Sequence, residues 1–312
     1  MHNRIIVVGS YNVDMTITTD EFPQAGETVI GHSLTYGHGG KGANQAVAAA
    51  RSGAQTTLFA KVGDDQYGDK AILTLNAEGI NTHLIQKAPG TPTGMASITV
   101  NAKGENSIVV LSGANGQLSA PDIEVESKHF QEADILLTQL ETSLESVTAA
   151  IQCAKDAGIT VILNPAPTRA LPVQLLRKVD IITPNRLEVE TLTGIKITND
   201  QSLHQAAENL HAQGIKIVLI TLGTEGVFLS RPGASKMIPA IRVDAVDTVG
   251  AGDVFNGVLA AHYENVDSIE SVVELAIIAS GLSVTQTGAQ AGIPDLETIK
   301  SYQREQFSSV TS

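Results

Sequence analysis

A glycine-rich run near the end of the sequence combines groups that could bind an anion with one that could accept a proton. Gly250, Ala251 and Gly252 precede Asp253, and the apolar pattern over 254–263 predicts a helix that begins beside them. N–H groups at a helix start favour an anion, and small residues let a phosphate approach closely. Asp253 could then deprotonate a hydroxyl while these groups hold the phosphate charge. A carboxylate that only complements the helix dipole is an equally good interpretation of this run alone.

A second glycine-rich run, 37–45, precedes an alanine-rich segment, 46–51, that predicts another helix. Its four glycines in six residues, with polar side chains among them, favour a site for a small polar ligand over a tight turn before a close-packed helix. Gly40, Lys41 and Asn44 are the candidate contacts. The run is not a P-loop, because a glycine follows Lys41, and no dinucleotide fingerprint follows the first predicted strand.

Polar residues also follow several predicted strands, at the edge where open parallel sheets bind ligands. Asn12 and Asp14 share one face of an extended segment and could hold paired hydroxyls or form an Asx turn. Glu141 could contribute to the same site or be simply exposed. Asn185 and Glu188 could hold a hydrated Mg²⁺ with phosphates or cap the next helix. The run over 221–226 could form part of a nucleotide site or a hairpin turn. Its residues are Thr221, Leu222, Gly223, Thr224, Glu225 and Gly226.

The composition is that of an ordinary globular protein, since 42% of the 312 residues are hydrophobic and 17% are charged. A net charge of −13 argues against nucleic acid or an anionic membrane surface as a partner. The single cysteine, Cys153, excludes an internal disulfide and a cysteine-based metal site. Residues 1–9 hold too short an apolar run for a signal peptide, and no stretch approaches the ~18 apolar residues of a membrane helix. We therefore expect a cytoplasmic protein.

Apolar segments of strand length alternate with helix-like segments along most of the chain. The predicted strands are 5–8, 56–60, 135–138, 160–163, 181–183 and 217–221, and the predicted helices between them include 66–77, 144–157 and 203–212. The helix over 144–157 is expected to begin with a capping box formed by Thr142 and Glu145. This alternation predicts one α/β domain over 1–312, with a three-layer, Rossmann-like, mostly parallel sheet flanked by helices.

Two stretches, 11–37 and 89–112, break this alternation. The first contains the extended segments 16–18 and 27–30, and the second contains 95–100 and 107–111 around a polar turn. Both patterns predict antiparallel strand pairs. Inserted into an α/β domain, they predict a small β-sheet that covers a site or forms an interface.

Several segments together resemble the ribokinase-like (PfkB) family of carbohydrate kinases, and the resemblance extends over essentially the whole chain. The matching runs are 39–46 (Gly-Gly-Lys-Gly-Ala-Asn-Gln-Ala), 163–167 (Leu-Asn-Pro-Ala-Pro), 182–185 (Ile-Thr-Pro-Asn), 219–223 (Leu-Ile-Thr-Leu-Gly) and 247–253 (Asp-Thr-Val-Gly-Ala-Gly-Asp). The last run marks the family at large, whereas the first is typical of members that phosphorylate ribose or deoxyribose. Several long matches in order are far more specific than a single motif.

The resemblance implies phosphorylation of D-ribose at its 5-hydroxyl by ATP, with Asp253 as general base and Gly250, Ala251 and Gly252 as anion hole. The implied sugar contacts are Asn12, Asp14, Gly40, Lys41, Asn44, Glu141 and Asp253. The implied ATP and Mg²⁺ contacts are Asn185, Glu188, the run 221–226, Gly252 and Ile277. An activating K⁺ is implied at Asp247, Val249, Ser283, Gln286, Gly288 and Gly292, mostly through backbone carbonyls. The two β insertions would form a lid that also pairs two subunits into a homodimer.

Two positions depart from related sequences. Gly250 stands where some relatives carry alanine, a change that only loosens the sterics, and Ile277 stands where some present a histidine to the adenine, which leaves an apolar contact. The resemblance keeps a kinase for deoxyribose, another furanose or a nucleoside as an alternative, because one missing hydroxyl is read by geometry rather than residue type. A non-catalytic sugar- or nucleotide-binding regulator is disfavoured, since every candidate catalytic position carries a competent residue.

Overall fold

In residues 3–310, which a computed structural model describes, the chain forms a nine-stranded sheet, a four-stranded sheet and ten α-helices. The strands are β1 (Arg4–Val8), β2 (Asn12–Thr18), β3 (Ser33–Gly39), β4 (Gln55–Gly63), β5 (Ile85–Ala88), β6 (Met95–Val100), β7 (Asn106–Leu111), β8 (Ile135–Thr138), β9 (Thr160–Leu163), β10 (Ile181–Ile182), β11 (Ile217–Thr221), β12 (Val227–Arg231) and β13 (Ala234–Ile238). The helices are α1 (Lys41–Arg51), α2 (Gln66–Ala77), α3 (Ala120–Val125), α4 (Leu144–Ala157), α5 (Val173–Leu176), α6 (Arg186–Thr193), α7 (Asp200–Ala212), α8 (Ala251–His262), α9 (Ile269–Ser283) and α10 (Leu296–Val310). None of these helices is both long and apolar enough to cross a membrane.

The large sheet is mostly parallel, with the strand order β13-β12-β11-β10-β9-β8-β1-β4-β5. Only β12 runs against its neighbours, pairing antiparallel with β11 and β13. The residues of β1 show that both faces are covered, because Ile5 and Val7 belong to one apolar cluster while Ile6 and Val8 belong to another. Helices α1, α8 and α9 supply the first cluster, and α4 and α7 supply the second. The predicted three-layer α/β fold is therefore confirmed.

The helix boundaries differ from the prediction where capping decides them. Helix α4 has the predicted bounds, but the predicted capping box at Thr142 is wrong, because Ser143 is the N-cap and its hydroxyl accepts from the N–H of Ser146. Helix α1 begins at Lys41 rather than at residue 46, so the second glycine-rich run forms its first turns. The polar residues of that run therefore occupy a helix start.

The small sheet has the order β3-β2-β6-β7. It joins the two predicted antiparallel pairs through a parallel pairing of β2 with β6. The partner of β2 is β3, so the strand predicted at 27–30 is wrong. Pairing runs from Thr18 with Ser33 to Asn12 with Gly39, and this register leaves residues 19–32 as the connecting loop.

Helices α1 and α8 approach each other closely because α8 carries a glycine at the contact. A Cβ atom on Gly257 would lie 2.5 Å from the Cβ of Ala48 and 2.5 Å from the carbonyl oxygen of Gln45. No side chain larger than hydrogen fits at this position without a shift of backbone. The close approach brings the amides of α1 to the acidic start of α8.

Gly257→Ala should lower the free energy of unfolding by about 1–3 kcal/mol, because overpacking forces the two helices apart. Urea unfolding measures this change. Gly116→Ala is a matched control, since its added Cβ would meet only the Cβ of Ser112 at 3.6 Å, and it should change stability by about 0.5 kcal/mol or less. Equal stability of the two variants would contradict the role of Gly257 in the contact.

Candidate active site

The candidate residues meet at the carboxyl edge of the large sheet. Glu141 follows β8, Asn185 follows β10 and Thr221 ends β11, and the first turns of α1 and α8 lie at the same edge. Parallel strands that end together bring these segments into one crevice, as expected for an open α/β sheet. The structure thus assembles groups that lie far apart in the chain.

Asp253 is buried in the first turn of α8, with 5% of its surface exposed. Two amides of α1 hold its carboxylate: Asn44 Nδ2 donates to Oδ2 at 2.9 Å, and Gln45 Nε2 donates to Oδ1 at 3.0 Å. Burial raises the pKa of Asp253, against the opposing effects of Lys41 and of these two donors. A carboxylate that only complemented the helix dipole would need neither burial nor two amide donors.

Four carboxylates influence one another around Lys41. Burial raises the pKa of Asp14 to about 6, and the charges of Glu141 and Asp253 add to the effect. Burial also raises the pKa of Glu188, although an N–H bond from Asn185 and the charge of Lys41 oppose it. Burial acts to lower the pKa of Lys41, but the neighbouring carboxylates outweigh it and raise that pKa. Groups with such shifts gathered in a crevice are typical of a functional site.

Glycines allow the small sheet to lie against the start of α1. A Cβ on Gly39 would lie 2.3 Å from a carboxylate oxygen of Asp14, so Asp14 could not keep its position opposite any other residue. Gly40 has φ of 87°, and a Cβ there would lie 2.7 Å from the backbone nitrogen of Asn12. The glycines predicted to contact a ligand therefore also bring Asn12 and Asp14 to the same crevice.

Glu141 fixes the start of α1, where no side chain of the local sequence serves as N-cap. Its Oε2 accepts from the N–H of Lys41 at 2.9 Å and from the hydroxyl of Ser10 at 2.6 Å. The Ser10 hydroxyl in turn accepts from the N–H of Gly42 at 3.3 Å. Glu141 is therefore not simply exposed to solvent. Its negative charge also complements the positive end of the α1 helix dipole.

The amide of Asn12 has a fixed orientation. Asn115 donates through Nδ2 to Asn12 Oδ1 at 2.8 Å and to the carbonyl of Tyr11 at 2.9 Å, and it accepts from the N–H of Tyr11. With its oxygen engaged, Asn12 has its amide nitrogen left to donate. Asn12 and Asp14 thus offer one donor and one acceptor, the pair that neighbouring sugar hydroxyls require.

Asn185 and Glu188 form the capping box of α6. Asn185 Oδ1 accepts from the N–H of Glu188 at 2.9 Å, and Glu188 Oε2 accepts from the N–H of Asn185 at 2.8 Å. The capping interpretation is therefore correct. It leaves a ligand role open, because Glu188 is only 5% exposed and faces the charge of Lys41 rather than solvent.

The run 221–226 forms the hairpin between β11 and β12, with a 3-10 turn over Gly223–Glu225. The N–H of Thr221 bonds to the carbonyl of Pro184 at 2.9 Å, so the hairpin lies beside the start of α6. Thr224 and Glu225 are exposed at its tip. The hairpin alternative is thus correct. Ile277 is 5% exposed and belongs to the apolar cluster of α1, α8 and α9.

The six residues implied for K⁺ lie in the loop before α8, at the last residue of α9, which is Ser283, and in the loop that follows α9. Asp247 Oδ1 accepts from the N–H of Val249 at 3.0 Å, and Asp247 Oδ2 accepts from the N–H of Gly288 at 2.9 Å. A Cβ on Gly292 would lie 2.5 Å from the carbonyl oxygen of Ser283 and 3.5 Å from the Cβ of Gln286. The second loop also reaches the crevice, because a side chain within it, Gln290, donates to Asn44 Oδ1 at 3.0 Å.

Sequence reasoning did not assign a role to several polar residues that support the site. They are Ser10, Gln45, Asn115, Gln139, Asn164, Thr183, Asn256 and Gln290. Gln45, Asn164 and Thr183 lie within the motifs that carry the family resemblance, which was the available signal. The others lie next to apolar or loop segments with no distinguishing pattern.

The comparison with known proteins agrees with this geometry. The chain matches the pfkB family of carbohydrate kinases over residues 2–296. It is 43% identical over 294 residues to ribokinase of Haemophilus influenzae, covering 94% of this chain and 96% of that one, and 39% identical over 299 residues to deoxyribokinase of Salmonella typhi, covering 96% and 98%. A solved structure of Arabidopsis thaliana ribokinase complexed with ribose and ATP has a TM-score of 0.90 at 30% identity, covering 96% of this chain and 98% of that chain.

The match to the pfkB family and the identity to ribokinases show that this α/β protein is a carbohydrate kinase. The chain belongs to the pfkB family, and its similarity to ribokinases extends over nearly its whole length.

Asp14→Asn should raise the free energy of unfolding at pH 8 by about 1–3 kcal/mol. The pKa of Asp14 is about 6 in the folded protein against an ordinary 3.8, so the folded state holds the proton more tightly. The stability this contributes is present at low pH and is lost as pH rises through about 6. The gain from the neutral amide should therefore vanish below about pH 4, as urea unfolding without ligands would show.

Asp180→Asn is the matched control with the opposite sign. Although burial opposes it, hydrogen bonds from Lys216, Lys155 and the N–H of Val161 lower the pKa of Asp180. Its ionised form therefore stabilises the folded protein at pH 8, and the variant should lose stability there. Unchanged stability of Asp14→Asn at pH 8 would contradict the electrostatic account of the crevice.

Proposed function

We propose that this protein transfers the γ-phosphoryl group of ATP to the 5-hydroxyl of D-ribose, giving ribose 5-phosphate and ADP. The observation that carries the proposal is the buried carboxylate of Asp253, held by two amides at the start of α8. High identity to ribokinases and the similarity to a ribokinase complexed with ribose and ATP support both substrates. We further propose that residues 1–312 form one cytoplasmic kinase domain.

Asp253 acts as the general base in this reaction. As the 5-oxygen forms its bond to the γ-phosphorus, the hydroxyl proton passes to a carboxylate oxygen of Asp253. The bond between the γ-phosphorus and the bridging oxygen breaks, and its electron pair leaves with ADP. The raised pKa of Asp253 suits this role, because a more basic carboxylate accepts the proton more readily.

The start of α8 supplies the groups that hold the phosphate charge. The helix begins at Ala251 after Gly250, which has φ of 82°. The N–H of Val254 bonds to the carbonyl of Gly250, so the N–H groups of Gly252 and Asp253 precede the first bond of that helical ladder. Donors fixed in this way stabilise charge that develops during transfer, without reorganisation.

The sugar contacts come from two parts of the molecule. Asn12 and Asp14 lie on β2 of the small sheet, and Gly40, Lys41 and Asn44 lie at the start of α1. Glu141 joins them through its bond to the backbone of Lys41. Carboxylates, an amide donor and an ammonium group together match the alternating donors and acceptors of a furanose.

ATP is proposed to lie between the start of α8 and the hairpin at 221–226, with Gly252 near its phosphates and Ile277 near its adenine. Glu188 and Asn185 would hold Mg²⁺ through water, because both oxygens of Glu188 already accept from Asn185. Within residues 3–310 no cluster of three or more histidine, cysteine or acidic side chains is arranged to hold a metal ion, so the phosphates would supply further ligands. The bound ion would neutralise phosphate charge.

A monovalent cation, K⁺, is proposed in the two loops around Asp247. One carboxylate and several backbone carbonyls are donors that suit such an ion. In the structure both oxygens of Asp247 accept from backbone N–H groups, and the carbonyl of Ser283 lies against Gly292. The proposed ligands are Asp247, Val249, Ser283, Gln286, Gly288 and Gly292. The contact of Gln290 with Asn44 supports a link to the sugar contacts. When bound, the cation would supply charge that fixes the loop before α8.

The small sheet is proposed as a lid over the sugar and as the contact between two subunits. Its outer strand β7 exposes Ile108, Val109, Val110 and Leu111, with 70% of Val109 accessible. An apolar stripe of this kind on an edge strand is costly in water and is covered in many proteins by another chain. A second copy of the chain is the proposed partner.

Phosphorylation of deoxyribose is the second candidate, because the identity to deoxyribokinase of Salmonella typhi is close to that for ribokinase. A release assay for ADP, with ribose or deoxyribose and with or without K⁺, separates the candidates. We expect ribose to have the higher kcat/KM and K⁺ to increase turnover. A preference for deoxyribose would identify deoxyribose as the substrate instead of ribose. Equal rates with and without K⁺ would contradict the proposed cation site.

Asp253→Asn should reduce turnover on ribose by about two to four orders of magnitude, the range for loss of a general base. The amide preserves the shape of the side chain, so the affinity for ribose by calorimetry should change little. Asp244→Asn is the matched control, because Asp244 is exposed in the segment before α8 and should leave turnover unchanged. Turnover near the unsubstituted level in Asp253→Asn would contradict the assignment.

A further inference from the structure

Gln45 is a fully buried polar residue that contacts Asp253. It lies on α1 next to Asn44 with 0% of its surface exposed. Its Nε2 donates to Asp253 Oδ1 at 3.0 Å and to Asn164 Oδ1 at 3.1 Å, and its Oε1 accepts from Gln139 Nε2 at 2.6 Å. One side chain thus ties α8, the segment after β9 and the segment after β8 to α1.

These partners leave the amide of Gln45 only one orientation. A rotation by 180° would place its oxygen against the carboxylate of Asp253 and against the amide oxygen of Asn164, and would turn its nitrogen towards the donor of Gln139. Asn164 is itself fixed, because its Nδ2 donates to the carbonyl of Thr183 at 3.3 Å. The nitrogen and the oxygen of the Gln45 amide are thus both hydrogen-bonded, although Oε1 of Gln139 has no partner among the described residues, and a buried amide bonded in this way is held rigidly.

We infer that Gln45 is a positioning residue for the reaction, which holds the carboxylate of Asp253 in the orientation and the ionised form that accept the hydroxyl proton. The inference rests on the proposed function. Gln45 differs from Asn44 in its task, since Asn44 holds the other carboxylate oxygen and is also a proposed sugar contact. Both amide hydrogens of Gln45 and its oxygen are already engaged by Asp253, Asn164 and Gln139, so it should influence turnover far more than sugar affinity.

Burial opposes the ionisation of Asp253 most strongly and explains why such a donor is needed, and the acidic neighbours of Asp253 add to the effect. Lys41 faces it from α1 and favours the ionised form. Glu141 after β8, Asp14 on β2 and Glu188 on α6 are acidic groups whose charges couple with it and oppose ionisation. Hydrogen bonds to the ionised form counteract this repulsion, so removing one donor should move the ionisation of Asp253 to higher pH.

Gln45→Met tests the inference, because methionine has a similar length and no amide. We expect kcat at pH 7 to fall about 10- to 100-fold, the effect of a lost hydrogen bond to a charged group. The KM for ribose should stay within about threefold, and the acid limb of the kcat profile should move up by about one pH unit. A ¹³C NMR titration of the Asp253 carboxyl group, assigned with Asp253→Asn, should show the same upward shift without substrate.

Two further variants separate positioning from general destabilisation. Thr138→Val removes a buried hydrogen bond from Thr138 to the carbonyl of Val8, next to Gln139 in the chain, and should lower stability without moving the acid limb. Gln139→Met removes the donor to Gln45 Oε1 but leaves the bond from Gln45 to Asp253. It should therefore move the acid limb of the kcat profile to higher pH by a smaller amount than Gln45→Met does. Gln139→Met also tests the inference if Gln45→Met does not fold.

An unshifted titration of Asp253 in Gln45→Met, or in Gln139→Met when the first variant is unfolded, would overturn the inference. A fall in kcat that is fully explained by the smaller fraction of folded protein would also overturn the inference. If the unsubstituted protein does not phosphorylate ribose, the proposed function fails instead. The NMR titration still measures whether Gln45 controls the ionisation of Asp253 in that case, so the two failures are distinguishable.

Discussion

The burial of one carboxylate at the start of α8 is the constraint on which the rest of the site depends. An ionised group removed from water must be held by donors or by opposite charge, and Asp253 has both. Its amide donors lie on α1, which can reach α8 only because Gly257 carries no side chain. The glycine of one helix and the amides of the other are therefore parts of one arrangement.

The distribution of acidic groups separates this crevice from the remaining surface. Asp134 and Asp180 lie near the amino ends of the strands, where Arg4, Lys155 and Lys216 pair with them and lower the pKa of each. At the carboxyl edge, Asp14 and Asp253 are buried near like charges, and the pKa of each is raised. The first arrangement stabilises the fold, whereas the second costs stability at pH values where these carboxyl groups are ionised. Such an opposition is typical of sites selected for function over stability.

The sequence predicted the layers of the fold and the groups of the site, because these follow from local patterns. Runs such as Ile135–Thr138 in β8 are apolar on both faces and can only lie in a covered sheet. The strand expected at 27–30 was wrong because pairing register, which is a long-range property, decided the partner of β2. Glu141 was a candidate from its place after a strand, but its bond to the start of α1 joins residues 100 positions apart.

The supporting amides could not be predicted from the sequence, for a related reason. A glutamine such as Gln139 in an apolar strand end has no periodicity that indicates its partner, and its bond to Gln45 spans 94 positions. The hairpin at 221–226 and the capping box at Asn185 were open choices, since the same residues serve a turn, a cap or a ligand. The structure shows that these residues form a hairpin turn and a helix cap. Their role in binding a ligand stays a proposal.

The most direct test of the central claim is a crystal structure with ribose and a non-hydrolysable ATP analogue. The account predicts that the 5-hydroxyl lies about 2.6–3.2 Å from a carboxylate oxygen of Asp253, with the γ-phosphate at the start of α8. A sugar bound with another hydroxyl at Asp253, or with the 5-hydroxyl out of its reach, would contradict the account.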